Sequence, residues 1–363
     1  MLLLKVALIY VLACCLYRDV DAETVKVLTY NTWLHESDNE AIENKDTRRT
    51  NIMKSLKSSN ADIVCLQEVY IGEDMEFIVD GVKDVFPYSF SNLHTGVSKY
   101  EPQATVSRQP PCDNYRLEYL ATCLEDNGCN AITTSKENAE CAVEYCGLRA
   151  YGIFFLDSQE CISCIAASWL NLDKCLDTEA VVGGRAINVG GLVLLSKKEI
   201  KSVSYTDFHN STKETLARGY IEAEIKDFAT VVCTHLSNKK TDVYFEMDYL
   251  NAGITSYKEM NTIEVETLIE RFSSVKPSVV MGSFNTGFNR FKKNYKKLYN
   301  AFKTKSVTEY TYMDPTDATN VATIDHVFVK GLSINKSKRV FVPVKGETSM
   351  SDHAGVQSKL KLN

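Results

Sequence analysis

The sequence predicts a layered α/β fold, and three patterns support that prediction. Residues 25–30 and 61–67 are apolar runs rich in β-branched residues, which predict strands, and residues 46–59 between them carry an apolar helical stripe. A strand, a helix and a second strand in succession are typical of layered α/β proteins. Further along, residues 246–272 predict a helix, because apolar residues recur there at the i, i+3, i+4, i+7 spacing of a core-facing stripe.

The later elements continue this alternation. Extended runs that predict strands occupy residues 190–196, 220–225, 229–234, 278–281, 307–312, 323–330 and 355–360. A helix with an aromatic face and a basic face is predicted over 288–302. Several of the extended runs stop abruptly at a polar residue, so that the polar side chain is delivered to the rim of a sheet, where a ligand can meet it.

The first 22 residues predict a secretory signal peptide, followed by a mature chain that starts near Glu23. Lys5 supplies a positive charge, residues 6–16 are apolar, and Val20-Asp21-Ala22 fits a small-residue cleavage site. An uncleaved anchor is the alternative, but the apolar run is short for a membrane span. We therefore expect a secreted, extracellular protein, with glycosylation acceptors at Asn210 and Asn335.

Length and charge limit the remaining possibilities. We expect one domain over 23–363, interrupted by an insertion at about 100–185, because strand-like sequence resumes directly after that stretch. The formal net charge of −6 argues against a globally basic binding surface, although it leaves room for a local basic patch.

The insertion is defined by its cysteines, which predict four disulfide bonds. Eight of the twelve cysteines lie between residues 112 and 175: Cys112, Cys123, Cys129, Cys141, Cys146, Cys161, Cys164 and Cys175. In an exported protein such a cluster is typical of a disulfide framework. Zinc binding is the alternative, since Cys161 and Cys164 form a C-x-x-C pair, but no second such pair accompanies it. Cys65 and Cys233 lie inside apolar strand runs and are predicted to be buried free thiols.

The polar residues at the strand ends form a set with a chemical meaning. They are Asn31, Glu68, His235, Ser283, Asn285, Asp325 with His326, and Asp352 with His353. Taken singly, each is more simply a turn residue or an ordinary surface or core side chain. Together they combine the oxygen ligands that Mg²⁺ prefers with imidazoles that can move protons near neutral pH.

Six short motifs carry a resemblance to a known family. They are Tyr-Asn-Thr-Trp at 30–33, Leu-Gln-Glu at 66–68, Thr-His-Leu at 234–236, Gly-Ser-Phe-Asn at 282–285, Ile-Asp-His at 324–326 and Ser-Asp-His at 351–353. In this order they resemble the endonuclease/exonuclease/phosphatase (deoxyribonuclease I-like) superfamily, and residues 190–197 look most similar to secreted neutral sphingomyelinase-like members. The resemblance covers about 23–95 and 186–361. It implies a four-layered α/β sandwich, in which two packed mixed sheets are flanked by helices.

The resemblance also implies an activity, namely Mg²⁺-dependent hydrolysis of a phosphodiester in a phospholipid or a nucleic acid. One or two divalent ions would be held by Glu68, with support from Asn31 and Asp352. We expect a monomer, and peripheral membrane contact if the substrate is a lipid.

The resemblance assigns catalytic roles to four further residues. His235 would donate to the phosphoryl oxygens or to the leaving group, and Asn285 would hold a phosphate oxygen. Asp325 would orient His353, which would accept a proton from the attacking water or contact the phosphate.

Ser283 departs from the family pattern, which is Gly-Asp-x-Asn where this chain has Gly282-Ser283-Phe284-Asn285. A serine hydroxyl is uncharged at pH 7 and is a poor base. Loss of a general base typically costs about 10²- to 10⁴-fold in rate. A catalytically inactive phosphate- or lipid-binding protein is therefore the alternative function, and an extracellular adhesion protein that uses the insertion is a third.

Overall fold

The computed structural model describes residues 24–34, 44–93, 112, 114–132, 141–142, 144–147, 159–167, 175, 187–208, 217–238, 254, 256–304, 307–314, 317, 319–343 and 349–362. The predicted signal peptide and the acceptor Asn210 lie outside these residues. Within them, no helix combines the length and the apolar character needed to cross a bilayer.

The described residues include most of the predicted strands and helices, together with elements that were not predicted, whereas the predicted strand at 307–312 is irregular except at Tyr312. The strands are β1 (Thr24–Asn31), β2 (Ile63–Gln67), β3 (Tyr88–Ser91), β4 (Val193–Ser196), β5 (Ile200–Asp207), β6 (Gly219–Ile225), β7 (Thr230–His235), β8 (Ser278–Ser283), β9 (Lys303–Thr304), β10 (Tyr312–Met313), β11 (Val321–Ala322), β12 (Asp325–Lys330), β13 (Leu332–Val340) and β14 (Gly355–Leu362). The helices are α1 (Lys45–Ser58), α2 (Gly72–Val82), α3 (Asn114–Asp126), α4 (Gln159–Ala167), α5 (Tyr257–Phe272) and α6 (Lys292–Ala301).

Two six-stranded mixed sheets dominate the fold. The first has the order β13-β14-β1-β2-β4-β3 and the second has the order β5-β6-β7-β8-β12-β9, while β10 and β11 form a small separate ribbon. The pairs β1–β2 and β7–β8 are parallel, and the other pairs are antiparallel. Because β1 and β2 are parallel, their carboxyl ends lie at the same edge of the first sheet, and the carboxyl ends of β7 and β8 likewise share one edge of the second sheet.

Three apolar clusters give the molecule four layers. One cluster lies between the two sheets and contains side chains such as Val27, Cys65 and Met281. A second packs α1 and α2 on the outer face of the first sheet, and a third packs α5 and α6 on the outer face of the second sheet. The arrangement confirms the predicted four-layered α/β sandwich.

Local backbone features set the starts of helices α5 and α6, and residues 246–253 of the predicted helix 246–272 lie outside the described residues. Helix α5 begins at Tyr257, after Ser256, whose side chain accepts a hydrogen bond from the Glu259 amide as an N-cap. Helix α6 begins at Lys292 and not at residue 288, because Phe291 has a left-handed backbone with φ of 44°. Residues 288–291 therefore form a loop, and their side chains do not continue the basic face of α6.

The cysteine-rich insertion contains the four disulfides that its sequence predicts. The pairs are Cys112–Cys161, Cys123–Cys146, Cys129–Cys141 and Cys164–Cys175. Their apolar cluster also includes Tyr70, Ile71, Ile187, Val189 and Ala217 from the sandwich. The insertion is thus packed against the body of the protein beside the end of β2, while its outer limits at about 100 and 185 remain predictions.

The prediction of free thiols at Cys65 and Cys233 is wrong, because the two form a disulfide. Cys65 on β2 and Cys233 on β7 face each other across the inter-sheet core, with a Cα–Cα distance of 5.4 Å that suits a disulfide. Both are fully buried, as predicted. The bond covalently joins the two sheets at the centre of the sandwich.

Candidate active site

One line of paired residues crosses the second sheet at the end of its parallel strands. Gly219 on β6 pairs with His235 on β7, which pairs with Ser283 on β8, which pairs with Asp325 on β12. Side chains of directly paired residues point to the same face of a sheet. Since Cys233, two residues before His235, faces the inter-sheet core, the His235, Ser283 and Asp325 side chains also face the first sheet.

The first sheet contributes Asn31 and Glu68 to the same region. Asn31 ends β1, and Glu68 directly follows β2 with a left-handed backbone, φ 62°. The Asn31 amide nitrogen donates to Glu68 Oε1 at 2.9 Å, while its amide oxygen accepts from the Trp33 N–H at 3.1 Å. Non-glycine residues in this backbone region store strain and are frequent at functional sites. His235 Nε2 lies 3.8 Å from Glu68 Oε1, so the two sheets meet here.

The segment before β14 completes the cluster. His353 Nδ1 lies 2.8 Å from Asp325 Oδ2, and His353 Nε2 lies 3.9 Å from Asp352 Oδ1. The Ser351 hydroxyl donates to the Asn31 carbonyl at 2.8 Å, which ties this segment to β1. Asp325 and His353 are buried, whereas the Asp352 side chain remains 11% exposed and Glu68 remains 19% exposed. Each of the two carboxylates that solvent reaches therefore lies near a buried imidazole, Glu68 near His235 and Asp352 near His353.

Burial and neighbouring charges shift the pKa values of two of these groups. Burial raises the pKa of Asp352 to about 7, and the negative charge of Glu68 adds to this effect, while His353 opposes it. Burial opposes protonation of His353, but the carboxylates of Asp325 and Asp352 outweigh it and raise the pKa of His353 to about 9. The cluster thus holds crowded negative charge next to a basic imidazole.

The residues of this cluster lie within a stretch of sequence that matches the profile of one protein family. The profile of the endonuclease/exonuclease/phosphatase family matches residues 28–353, a span that contains every residue of the cluster. The chain belongs to this family. No curated protein sequence matches the chain.

Solved structures of other proteins are similar to this endonuclease/exonuclease/phosphatase chain. A humanized TDP2 from D. rerio matches with 9% identity over 93% of this chain and 99% of its own, with a TM-score of 0.50. Sphingomyelinase C from Streptomyces griseocarneus matches with 13% identity, coverage of 94% and 100%, and a TM-score of 0.48. A Staphylococcus aureus beta toxin variant with bound magnesium ions has the same identity, coverage and TM-score. At such identities, likeness to solved structures concerns the fold alone.

The donor set of this family member fits a magnesium ion held through two carboxylates. The negative charge of Glu68 contributes to the raised pKa of Asp352, and a divalent cation held by both carboxylates would relieve this repulsion. Mg²⁺ is commonly bound by one or two carboxylates and several waters. Among the described residues there is no group of three or more His, Cys, Asp or Glu side chains arranged to hold a metal. Asn31 turns its amide nitrogen toward Glu68 and so orients that carboxylate; the roles of both residues at a metal stay predictions.

Arg218 is a member of the cluster that the sequence did not indicate. Its guanidinium Nη1 lies 2.5 Å from His235 Nδ1 and 3.2 Å from His235 Nε2, and it also donates to the Tyr70 hydroxyl at 3.4 Å. A guanidinium can only donate, so the closer nitrogen, Nδ1, accepts. In a neutral ring the proton then lies on Nε2, the nitrogen that faces Glu68. This is the tautomer that a donor to a phosphoryl oxygen needs.

Ser283 and Asn285 lie at the end of β8, as predicted. The Asn285 side chain has a hydrogen-bond partner, whereas the Ser283 hydroxyl has none among the described residues. The Asn285 amide donates to the Leu236 carbonyl at 2.7 Å and is almost fully buried. Ser283 Oγ and Asp325 Oδ1 are buried and have no hydrogen-bond partner within the described part of the chain. Buried polar atoms normally have partners. The Ser283 hydroxyl at the end of β8 is therefore unsatisfied among the described residues, at the place where the family pattern has an aspartate.

His326 follows Asp325 in the sequence but faces away from the cluster. Its ring packs near Phe284, Tyr295 and Phe328 in the helix-covered layer, and its Nε2 hydrogen-bonds with the Thr286 carbonyl at 2.9 Å. Complete burial lowers the pKa of His326 to about 4, so the ring is neutral at physiological pH. This second histidine of the strand-end set is therefore a core residue.

Proposed function

We propose that this family member is a secreted Mg²⁺-dependent phosphodiesterase whose turnover is limited by Ser283. The observation that carries the proposal is the pairing of a carboxylate–imidazole couple, Asp325 and His353, with the two solvent-reachable carboxylates Glu68 and Asp352 in one cluster. In-line attack on a phosphodiester needs a polarised phosphate, an activated water and a protonated leaving group.

The residues of the chain divide these tasks. Glu68 and Asp352 would hold Mg²⁺, which when bound would polarise the phosphate and acidify water. Asp325 fixes the ring of His353 through Nδ1, and because the pKa of His353 is raised to about 9, Nε2 is protonated at neutral pH and would contact the phosphate as a donor. It could take a proton from water only once the charge of a bound cation had lowered that pKa. His235, with its proton placed on Nε2 by Arg218, donates to a phosphoryl oxygen or to the leaving group. Asn285 would contribute a hydrogen bond to a phosphate oxygen.

The five disulfides support export, since such bonds persist in oxidising compartments. Asn335, one of the two glycosylation acceptors, is exposed at an irregularity in β13, where a glycan has room. A monomer with peripheral membrane contact is the form we propose for a phospholipid substrate.

The direct test is a hydrolysis assay of purified protein on sphingomyelin vesicles, on DNA and on bis-nitrophenyl phosphate, with Mg²⁺ and with EDTA. Mg²⁺-dependent release of product from at least one of them is the expected result, and the preferred substrate separates the lipid class from the nucleic-acid class. Complete inactivity on all three substrates contradicts the proposal.

Glu68→Gln is expected to abolish the increase in melting temperature that Mg²⁺ produces in the wild type. The substitution keeps the shape of the side chain and removes the charge of the main Mg²⁺ ligand. Mg²⁺ raises the melting temperature only if it binds the folded state, so loss of binding removes the increase. Glu270→Gln, the same change on the exposed face of α5, is the control and should preserve the effect. An undiminished Mg²⁺ effect in Glu68→Gln would place the metal elsewhere.

Ser283→Asp is expected to raise kcat by about tenfold or more, because it supplies a carboxylate that can hold and activate water. Ser283→Asn is the matched control, since it adds almost the same volume without the charge. Equal effects of the two variants would mean that side-chain size and not the charge is decisive. A wild type that is already fast and is not improved by aspartate would mean that another group serves as base.

The alternative function, a catalytically inactive phosphate- or lipid-binding protein, is favoured by one observation. Ser283 is uncharged and buried at the position where the family pattern has aspartate. Retained phosphate binding together with an inert Ser283→Asp variant would decide for this alternative.

A further inference from the structure

Arg290 is held in a defined position at the rim of the site by a tight loop. The loop runs from Asn285 to the start of α6, and the Gly287 amide donates to the Arg290 carbonyl at 2.6 Å. A Cβ atom at Gly287 would lie 1.7 Å from the Thr323 carbonyl oxygen, so only glycine allows the loop to lie this close to the segment before β12. The position of Arg290 relative to Asp325 is therefore fixed by backbone contacts.

The side chain of Arg290 is held as well. Its Nη1 donates to Asn238 Oδ1 at 3.1 Å, and its guanidinium carbon lies 5.3 Å from the centroid of the Tyr312 ring. The Tyr312 ring in turn lies 5.2 Å from the ring of His353. A guanidinium restrained against an aromatic face loses little further freedom when it binds a ligand. Tyr312 therefore contacts both Arg290 and the imidazole that is proposed to act on the phosphodiester.

The charge of Arg290 is not neutralised by the described part of the protein. Burial lowers the pKa of Arg290, which means that its half-buried charge is held at a cost. Asp325 and Asp314 favour the charge electrostatically from a distance, but no described carboxylate lies within ion-pair distance of it. By contrast, Arg49 and Arg271 each contact a carboxylate directly. An anionic ligand is what would offset the cost.

We propose that Arg290 binds a non-bridging oxygen of the substrate's phosphate group, and the proposal deepens the function proposed above. Planar guanidinium groups match phosphate oxygens with two parallel hydrogen bonds. In this role Arg290 is a substrate-binding residue next to Tyr312, whose ring lies beside His353. It would serve equally in an active phosphodiesterase and in a protein that only holds a phosphate.

The lysines of α6 are the competing source of positive charge. Lys293 and Lys296 are exposed on the outer face of the helix, and Lys297 pairs with Glu266 on α5. Exposed cations in water contribute little to a specific contact. The structure therefore favours the loop arginine over the basic face of the helix as the anion-binding group.

The test is isothermal titration of inorganic phosphate and of phosphorylcholine into the wild type, Arg290→Gln, Arg290→Lys and Lys293→Gln, with Mg²⁺ and with EDTA. Arg290→Gln should raise Kd by about tenfold or more in both conditions, because it removes a charge-assisted, bidentate contact. Arg290→Lys keeps the charge but loses the planar fork, so it should raise Kd by an intermediate factor. Lys293→Gln removes the same charge three residues away and should leave Kd within about twofold of the wild type.

The outcomes separate this proposal from the proposed catalytic function. If Arg290→Gln weakens phosphate binding no more than Lys293→Gln does, or if the wild type does not bind phosphate at millimolar concentration, Arg290 is not the phosphate ligand. If the wild type hydrolyses no substrate but loses phosphate affinity in Arg290→Gln, the binding role stands and the catalytic proposal fails. Should Arg290→Gln not fold, as judged by circular dichroism, Arg290→Lys decides: an unchanged Kd overturns the proposal.

Discussion

Replacing His353 by glutamine is expected to lower kcat by about 10²- to 10⁴-fold, the range typical for loss of a general acid–base group. Glutamine fills similar space and can hydrogen-bond, but it cannot take up a proton. Asp325 Oδ2 holds His353 Nδ1 at 2.8 Å, so Asp325→Asn should lower kcat as well, by disturbing the orientation of the ring. The measurement is kcat and KM on the substrate that the hydrolysis assay identifies.

The double variant Asp325→Asn/His353→Gln is the control for a shared role. Residues that act as a unit are not additive, so the double variant should lose little more activity than His353→Gln alone. If the two losses multiply, Asp325 and His353 act independently and the carboxylate–imidazole couple is not the catalytic unit. Unchanged melting temperatures would confirm that the losses concern the reaction and not the stability of the fold.

Removing the inter-sheet disulfide by Cys65→Ala/Cys233→Ala is expected to lower the free energy of unfolding by about 5 kcal/mol on the chain-entropy account. The bond closes a sequence separation of 168 residues, which restricts the unfolded chain strongly. The control is Cys129→Ala/Cys141→Ala, which removes a disulfide that closes a separation of only 12 residues. The same account gives about 3 kcal/mol for the control pair.

Urea denaturation under non-reducing conditions, with fluorescence as the signal, measures both losses. The order of the two variants is the informative result, because both remove one disulfide and leave two alanines. A loss at Cys65/Cys233 no larger than that at Cys129/Cys141 would contradict the entropic account, and would mean that the packed core alone holds the sheets together.

Much of the fold could be predicted because its signals are local. Apolar runs that stop at polar residues are the real strands β1, β2, β7, β8 and β12, and the eight clustered cysteines pair among themselves. The bond between Cys65 and Cys233 could not be predicted in this way. It depends on which faces of two strands from different sheets oppose each other, and the sequence within either strand does not contain that information.

The candidate site shows the same division. Glu68 and His235 lie at the ends of β2 and β7, Asp325 begins β12, and Asp352 and His353 precede β14. All five lie next to apolar runs in short motifs, so the sequence could indicate all of them. Arg218 and Arg290 could not be found, because neither ends a strand or belongs to a motif. Arg218 lies near His235 because its neighbour Gly219 pairs with His235. The position of Arg290 depends on the loop before α6, which ends at Phe291 with its left-handed backbone.

His326 shows the opposite error. Its position in the sequence places it in the strand-end set, but in the structure its side chain lies outside the cluster. Side chains alternate along a strand, so adjacent residues face opposite sides of the sheet. Asp325 faces the inter-sheet side, and His326 consequently faces the helices. Adjacent residues of a strand therefore cannot both be assigned to one site on the strength of a motif.

The order of strands in the first sheet has a consequence for the life of the newly made chain. Strand β14 lies between β13 and β1, and Asn31 on β1 is tied by its carbonyl to Ser351, next to Asp352 and His353. A ribosome that has made Glu68 and His235 has not yet made Asp352, His353 or β14, the strand that pairs with β1 on the side away from β2. Until that strand emerges, β1 presents an open edge that other chains could join. The same delay keeps the cluster incomplete during synthesis, so that a chain of this design would assemble the whole cluster only after residue 353 has been made.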